Sequence, residues 1–374
     1  MNQENRRKIT QLRHQLHRYP ELSMQEYRTK DTLINFIKKE TDLEVTDRGH
    51  WFYACYHCGI PGAESIAFRA DFDALAIPEE NDLPYCSRNP GVSHRCGHDG
   101  HSAVLAGLAL EVAQYGADKD VYFIFQHAEE IGGGGAECAK LIPEKGISKV
   151  FAFHNLSGYP EGCVAVREGT AQCASKGLTV HLTGTPAHAS QPEDGKNPSA
   201  ACAELVLEIN RAAACKEEYE GLIMATIVQV LSGQKNFGIA ASKGEVSVTL
   251  RADYEKDMEK LEGQIRMKAE ELAARDGLTV DYEESDIFPE TVNVSACLVL
   301  VRCAGVACGM KVVDMEVSFR ASEDFGYYLK QCPGAIFYIG NGEEYPQLHT
   351  DSYDFNDQIL ESAAELFKKI LEMA

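Results

Sequence analysis

The feature that most constrains the fold is a set of short apolar runs that end in ionisable residues. Residues 120–126 (DVYFIFQ) lead into HAEE at 127–130, and residues 149–153 (KVFAF) lead into His154. A continuous apolar run of this length is typical of a strand that is buried on both faces of a sheet. Helical patterns alternate with these strands, and the carboxyl ends of neighbouring strands meet along one edge of an α/β sheet. The sequence therefore predicts an α/β fold whose site lies along that edge.

The middle of the chain has a different pattern. Between residues 172 and 285 the predicted order is strand, helix, strand, strand, helix, strand, and these strands alternate between apolar and polar residues. This βαββαβ order is complete in itself and matches a ferredoxin-like module. Because the α/β pattern resumes at residue 286, we predict a discontinuous mixed-sheet α/β domain at 1–171 and 286–374. The ferredoxin-like domain at 172–285 is then an insertion into it.

Composition excludes several classes of function. The 374 residues carry a net charge of −21, whereas binding to nucleic acid or to an anionic membrane needs clustered Lys and Arg. No apolar run reaches the roughly 18 residues of a membrane-spanning helix, and the amino terminus lacks the apolar core of a signal peptide. The thirteen cysteines form an odd, scattered set, which indicates buried thiols in a reducing compartment. We expect a cytoplasmic protein with a small-molecule ligand, and neither nucleic acid nor a membrane as partner.

The stretch from Ser93 to Gly107 (SHRCGHDGHSAVLAG) brings a cysteine, three histidines and an aspartate together. Sulfur, imidazole and carboxylate groups are the ligands that zinc or manganese needs. The glycines at 97 and 100 allow backbone angles that turn neighbouring side chains toward a common centre. Taken alone, the stretch fits buried structural histidines as well as it fits a metal site.

Glu129 and Glu130 follow the apolar run that ends at residue 126. On an extended chain neighbouring side chains point in opposite directions, so one glutamate can bind a cation while the other faces a substrate as a base. The alternative for this pair is two solvated loop acids, and His154 or His349 alone is more typical of a structural histidine. Their joint occurrence at separate strand ends favours a site, because packing gives no reason to direct several ionisable groups to one edge.

Seven motifs in order carry a resemblance to a known family. They are LRHQLHRYPELSMQE at 12–26, FRADFDALAI at 68–77, HRCGHDGHSAVLAG at 94–107, FQHAEEIGGGGAE at 125–137, AHASQPEDGKNPSAA at 187–201, SEDFGYYL at 322–329 and LHTDSYDFND at 348–357. In these motifs the chain resembles the amidohydrolase branch of the zinc aminoacylase and carboxypeptidase metallopeptidase superfamily. That branch includes N-acyl-amino-acid amidohydrolases, hippurate hydrolases and the plant hydrolases of auxin–amino-acid conjugates. The resemblance implies a metal-dependent α/β catalytic domain interrupted by a ferredoxin-like lid.

The resemblance implies one or two divalent ions per chain, with zinc, manganese, cobalt or nickel as candidates. Cys96 stands where that branch has a thiolate that can bridge two ions. The other ligand positions fall on His98, Glu130, His154 and His349. Glu129 falls on the general base that acts on a metal-activated water. Asp71 falls on an aspartate that orients the metal site, and Arg69 replaces a histidine ligand found in other branches.

In the inserted domain the resemblance implies three further roles. His188 falls on a histidine that steadies the developing oxyanion, in many relatives within the site of a neighbouring subunit. Asn236 and Arg251 lie near positions that hold a substrate carboxylate, although NFGIAA at 236–241 departs from the bulkier apolar residue and proline that usually follow. The same domain is expected to act as a lid and to form a homodimer or a higher homo-oligomer.

The expected reaction is hydrolysis of the amide bond of N-acyl amino acids or similar small amides. Amides are poor electrophiles, so hydrolysis at neutral pH needs a nucleophile stronger than water, which a divalent cation and a base together provide. The alternatives are a dipeptidase or carboxypeptidase of the same superfamily, a cysteine hydrolase that uses Cys96 with His98 or His101, and a non-catalytic relative.

Overall fold

The computed structural model describes all 374 residues, which form two compact units. The first unit comprises Met1–Ala171, Thr291–Ser318 and Glu323–Ala374. The second comprises Gln172–Glu290 and Phe319–Ser322. In sequence, the second unit therefore interrupts the first twice.

The chain contains fourteen strands and ten α-helices. The strands are β1 (Glu44–Asp47), β2 (Phe52–Tyr56), β3 (Ser65–Asp71), β4 (Asp120–Gln126), β5 (Lys149–Ser157), β6 (Val164–Val166), β7 (Gly169–Gln172), β8 (Ala174–Thr183), β9 (Ile223–Ser232), β10 (Lys243–Ala252), β11 (Thr279–Phe288), β12 (Thr291–Asn293), β13 (Val312–Asp314) and β14 (Gly334–Gly342). The helices are α1 (Gln3–Arg18), α2 (Tyr27–Glu40), α3 (His98–Tyr115), α4 (Gly135–Cys138), α5 (Leu141–Lys145), α6 (Ser199–Ala214), α7 (Glu255–Asp276), α8 (Ser295–Ala307), α9 (Gly326–Leu329) and α10 (Leu360–Met373). None of the helices is long and apolar enough to cross a membrane.

The first unit is built on a mixed eight-stranded sheet in the order β1-β2-β4-β3-β5-β14-β6-β13, which confirms the predicted mixed α/β class. Its four neighbouring strands β4, β3, β5 and β14 are parallel. Their carboxyl ends therefore meet at one edge, the arrangement in which α/β proteins place their sites. The chain leaves β3 at Asp71 and β4 at Gln126 along this edge.

The apolar runs of the central strands are continuous because both faces of the sheet are covered. In β4, Phe123 and Phe125 pack into the core that contains α1, α3 and α10, while Tyr122 and Ile124 pack into the core on the opposite face. Alternate residues of a strand point to opposite faces, so a strand covered on both sides needs apolar residues throughout.

Helix α3 carries the first site residues into the core. Every residue from His98 to Val112 is buried, as expected of a helix that is apolar all round. The helix begins at His98. Gly97 precedes it with a φ of 98°, and a Cβ at this position would contact the Asn155 amide and the Tyr353 hydroxyl. Only glycine therefore fits this turn without strain.

The second unit has the observed order β8-α6-β9-β10-α7-β11. Its four strands form an antiparallel sheet in the order β11-β8-β10-β9. Apolar residues of α6 and α7 share a core with those of β8 and β10. The domain boundary predicted at residue 285 falls inside β11, because Phe288 still pairs with Ser175.

Two elements differ from the sequence-based expectation. The strand predicted at 149–153 continues to Ser157, so His154 lies within β5 and not beyond its end. The motif SEDFGYYL at 322–329 has two acids near its beginning, as is common at the start of a helix, but only the four residues of α9 are helical. Glu323 and Asp324 precede α9 and are buried, and their carboxylates accept hydrogen bonds in the interior instead of starting a longer helix.

Candidate metal centre

Five side chains from separate parts of the first unit converge at the sheet edge. Cys96 Sγ lies 3.3 Å from His154 Nε2 and 3.3 Å from His349 Nε2. Glu130 is 3.7 Å from His98 Nε2 through Oε1 and 3.6 Å from His349 Nε2 through Oε2. The structure thus brings together all five residues predicted as ligands.

The five residues fall into two groups that share Cys96. In each group the candidate ligand atoms lie within 4.8 Å of one another. One group consists of Cys96, His98 and His154, and the other of Cys96, Glu130 and His349. Cys96 Sγ belongs to both groups, so it is the one ligand that two cations would share.

The hydrogen bonding of these residues fits a bound cation. His98 Nε2 and Glu130 Oε1 are buried and have no hydrogen-bond partner. A buried polar atom without a partner costs about 1–3 kcal/mol, and here two such atoms face the same centre. A thiol, imidazoles and a carboxylate together form the donor set that suits zinc and other borderline divalent ions.

Asp73 orients His98 and was missed by the sequence analysis. Its Oδ1 lies 3.1 Å from His98 Nδ1, which keeps a proton on Nδ1 and makes Nε2 the ring nitrogen that a cation would bind. The other oxygen of Asp73 accepts the backbone N–H of Glu130 at 3.0 Å. One carboxylate therefore positions two of the five candidate ligands.

Asp71 lies beside the centre, but its hydrogen bonds lead elsewhere. Its Oδ1 is 3.9 Å from His98 Nε2 and 2.7 Å from His101 Nδ1, and Arg69 donates to its Oδ2 at 2.6 Å. His101 Nε2 in turn accepts from the Asn155 side chain, which also donates to the carbonyl oxygen of Cys96. His101 is thus a buried link between Asp71 and the backbone of Cys96.

Glu129 stands next to the candidate ligands in a buried turn. Its Oε2 is 3.8 Å from His98 Nε2, and its side chain also groups with Glu323 and Asp324. The preceding Ala128 has a φ of 50°, a left-handed conformation that is uncommon outside glycine. Burial, and then the nearby Glu323 and Glu130 carboxylates, raise the pKa of Glu129 well above its usual range.

The surroundings of Cys96 do not resemble those of a nucleophilic cysteine. Burial, followed by the Glu130 and Glu129 carboxylates, raises the pKa of the Cys96 thiol well above its usual value. Reactive cysteines occupy electropositive environments that lower the pKa. Without a cation, this site would disfavour the thiolate, so the geometry supports a metal ligand over the cysteine-hydrolase alternative.

Metal affinity is expected to fall steeply in acid. Burial opposes a charge on His98, but Asp71, Asp73 and Glu130 outweigh it and raise its pKa to about 10. The Cys96 thiol is also protonated at neutral pH, and burial raises the pKa of Glu130 to about 7. A cation must therefore displace two protons at pH 8 and a third below pH 7.

We expect the apparent affinity to fall about a hundredfold per pH unit near pH 8 and about a thousandfold per unit near pH 6. Competition titrations of the metal-free protein against a chromophoric chelator, corrected for the chelator's own protonation, would measure both slopes. An affinity that does not change with pH would contradict this set of ligands.

The three residues predicted in the inserted domain lie in the second unit. His188 is in an exposed turn, where its Nδ1 accepts from the backbone N–H of Ser190 at 3.1 Å. Asn236 is exposed in the connection between β9 and β10, and its Oδ1 accepts from Gly238 N at 3.0 Å. Arg251 Nη1 donates to the Arg320 carbonyl and to Ser322 Oγ, at 3.0 and 2.7 Å.

The sequence profile of peptidase family M20/M25/M40 matches residues 67–373. The chain belongs to this family. Among similar proteins, N-acetyldiaminopimelate deacetylase of Exiguobacterium sibiricum is 28% identical over 354 residues, which cover 94% of this chain and 95% of the relative. N-acetylcysteine deacetylase of Bacillus subtilis is 28% identical over 369 residues, covering 97% and 96%.

Among solved structures, the Bacillus subtilis protein YxeP, described as a dinuclear metal-binding peptidase of the M20 family, has a TM-score of 0.85 and 25% identity. The match covers 100% of this chain and 99% of that one. Membership of the family confirms the resemblance inferred from the seven motifs. It also confirms the prediction of an enzyme that hydrolyses amide bonds with one or two divalent metal ions.

Proposed function

We propose that this M20-family enzyme removes the acyl group from N-acyl amino acids, and that N-acetyl amino acids are among its substrates. The observation that carries the proposal is the convergence of Cys96, His98, Glu130, His154 and His349 beside the buried Glu129. The names of two full-length relatives, both deacetylases of N-acetylated amino acids, support the choice of substrate class.

Two cation positions follow from the two groups of candidate ligands. Cys96, His98 and His154 would hold one ion, and Cys96, Glu130 and His349 would hold the other. When bound, such ions lower the pKa of water and polarise a carbonyl oxygen. His349 is the most accessible of the five, since its side chain is 52% exposed.

Glu129 is proposed to handle the proton. A cation bound beside Glu129 would favour the ionised form and so oppose the burial and the neighbouring carboxylates that raise its pKa. Its carboxylate would then accept a proton from water and pass it to the nitrogen of the leaving amine. Burial of the side chain, which is 7% exposed, keeps bulk water from competing for that proton. The bond that breaks is the amide C–N bond, and the products are a carboxylic acid and a free amino acid.

His188 is proposed to stabilise the oxyanion that develops on the carbonyl oxygen. Its Nδ1 accepts from the backbone N–H of Ser190, so the ring proton is on Nε2. Nε2 is then a hydrogen-bond donor, which is what an oxyanion requires. Whether this donor serves its own chain or a neighbouring subunit stays a prediction.

Asn236 and Arg251 are proposed to contact the substrate carboxylate. Arg251 provides a guanidinium group on β10, although its Nη1 already donates hydrogen bonds to residues 320 and 322. The side-chain oxygen of Asn236 caps a local turn, which leaves its amide group for a ligand. Both roles derive from the resemblance of the motifs.

The second unit is proposed to be a ferredoxin-like lid. Its βαββαβ order and its antiparallel sheet support this assignment. A homodimer or higher homo-oligomer through this unit, and a cytoplasmic location, stay predictions from the sequence.

A substrate panel tests the proposed function. The metal-loaded enzyme would be assayed on N-acetyl and N-benzoyl amino acids and on dipeptides, before and after exhaustive chelation. We expect the N-acyl amino acids to be turned over fastest, with activity lost on chelation and restored by zinc, manganese or cobalt. Faster turnover of dipeptides would favour the peptidase alternative, which the description of YxeP as a peptidase supports.

A further inference from the structure

The turn that carries Glu129 and Glu130 is held by three buried carboxylates. We call residues 127–134 the base loop. Within and just after it, Ala128 N donates to Glu26 Oε1 at 2.8 Å, Glu130 N donates to Asp73 Oδ2 at 3.0 Å, and Gly135 N donates to Asp324 Oδ2 at 2.7 Å. These acceptors are distant from the loop in sequence, so the tertiary fold fixes the loop.

Asp324 differs from the other two acceptors because it binds both ends of the base loop. Gln126, just before the loop, donates from Nε2 to Asp324 Oδ1 and Oδ2 at 2.8 and 2.7 Å. Gly135, just after the loop, donates to Oδ2. Arg69 Nη2 donates to Oδ1 at 2.7 Å, and Asp324 is fully buried. All these partners are donors, so the site requires a carboxylate.

The loop end packs directly on Asp324. A Cβ at Gly135 would lie 2.5 Å from the Asp324 carbonyl oxygen and 2.7 Å from its Cγ. Such distances cannot be tolerated without movement of the backbone, so the glycine permits this contact. The carboxylate and the loop are therefore fitted to each other at this point.

We propose that Asp324 is a positioning residue that closes the base loop and thereby sets the places of Glu130 and Glu129. The inference rests on the proposed function, because it concerns the two cation positions proposed there and says which of them depends on the base loop. The base loop supplies Glu130 to the group with Cys96 and His349, whereas the group of Cys96, His98 and His154 contains no loop residue.

Loosening the loop should therefore affect the two positions differently. At the position made by Cys96, Glu130 and His349, the ligand Glu130 is no longer held in place, while the other position keeps all three of its ligands in place. Turnover also falls, because Glu129 moves with the same loop. A residue with a merely structural role would instead lower the stability of the whole unit and weaken both positions together.

The test uses Asp324→Asn in the full-length chain. The substitution keeps the side-chain volume but removes the charge. It also replaces one acceptor oxygen by an NH2 group, a donor that then faces the donors of Gln126, Arg69 or Gly135. Binding of cobalt(II) to the metal-free protein would be followed by equilibrium dialysis with elemental analysis. The thiolate-to-cobalt absorption band reports on Cys96 in parallel.

We expect one cobalt ion to bind with an affinity within about twofold of the wild type, and the other to bind about 10- to 100-fold more weakly. At saturating metal, kcat should fall by about the same factor, with KM changed less than about threefold. The matched control is Glu111→Gln, a buried carboxylate of α3 that accepts from Asn5 and Lys368. It should bind both ions normally.

Glu26→Gln provides a second test, because Glu26 holds the same loop through Ala128. Asp324→Asn is not usable if it does not fold, as judged by circular dichroism and size-exclusion chromatography. In that case, weaker binding of only one cobalt ion by Glu26→Gln supports the proposal, and equally weakened binding of both ions overturns it. The proposal would be overturned if Asp324→Asn bound two ions normally, if both ions were weakened equally, or if the wild type bound only one ion.

Failure of the proposed function is a different result. The wild type would then bind no cation, or would hydrolyse none of the panel amides.

Discussion

Replacing Glu129 by glutamine is expected to lower kcat by a factor of about 10² to 10⁴ while the protein keeps its metal. Glutamine has nearly the same shape as glutamate but cannot take a proton from water. A loss of this size corresponds to about 3–5 kcal/mol of transition-state stabilisation. Steady-state kinetics on an N-acetyl amino acid, with elemental analysis of the same sample, would measure both quantities.

The control for this variant is Glu344→Gln, a change at an exposed glutamate. It should leave kcat and the metal content unchanged. Full turnover by Glu129→Gln with metal bound would remove Glu129 from the mechanism. Loss of metal in that variant would instead make Glu129 a ligand.

Replacing Cys96 by alanine is expected to weaken both cation positions, because its sulfur belongs to both groups of candidate ligands. Loss of a residue that only orients a ligand typically costs 10- to 100-fold in affinity, so loss of a shared ligand should cost at least about 100-fold. Activity at limiting metal should fall accordingly. Metal titrations of the variant by calorimetry would measure the loss.

Two further variants make this experiment specific. Cys96→Asp restores an anionic ligand and should recover part of the metal binding, whereas Cys332→Ala removes a buried thiol elsewhere in the first unit and should have no effect on it. Tight binding of two ions by Cys96→Ala would show that the sulfur is not shared.

The sequence predicts the sheet edge because the edge is encoded locally. An apolar run such as that of β4 predicts a strand covered on both faces, and the ionisable residues that follow it mark its carboxyl end. The five candidate ligands were identified in this way with the help of the motifs. The parallel neighbours β4, β3, β5 and β14 place Glu130, after β4, and His154, within β5, along the same edge. Cys96, His98 and His349 lie outside these strands, before or at the start of α3 and after β14, so the strand order alone does not place them.

The residues that hold the ligands in place were harder to predict. Asp73 hydrogen-bonds the ring of His98, to which Asp71 is a more distant neighbour at 3.9 Å. Asp324 contacts both ends of the base loop. From the sequence, Glu323 and Asp324 look like acids at the start of a helix, where the helix dipole favours negative charge. Asp324 and its partner Gln126 are 198 residues apart, so no local pattern reveals the contact.

The local sequence around Asp73 and Asp324 indicates their roles only once the fold is known. Asp71 and Asp73 are two residues apart, a spacing that places side chains on the same side only where the chain is extended. The chain leaves β3 at Asp71, so this rule no longer applies to Asp73. The run of glycines after Glu130 was the other available signal, and the close contact of Gly135 with Asp324 explains one of its members.

Anomalous diffraction from crystals of the zinc- or manganese-loaded enzyme, collected at the metal absorption edge, is the most direct test of the site. The account predicts two peaks that share Cys96: one among Cys96, His98 and His154, and one among Cys96, Glu130 and His349. Peaks that lie away from Cys96, or an active enzyme with no peak at this sheet edge, would contradict it.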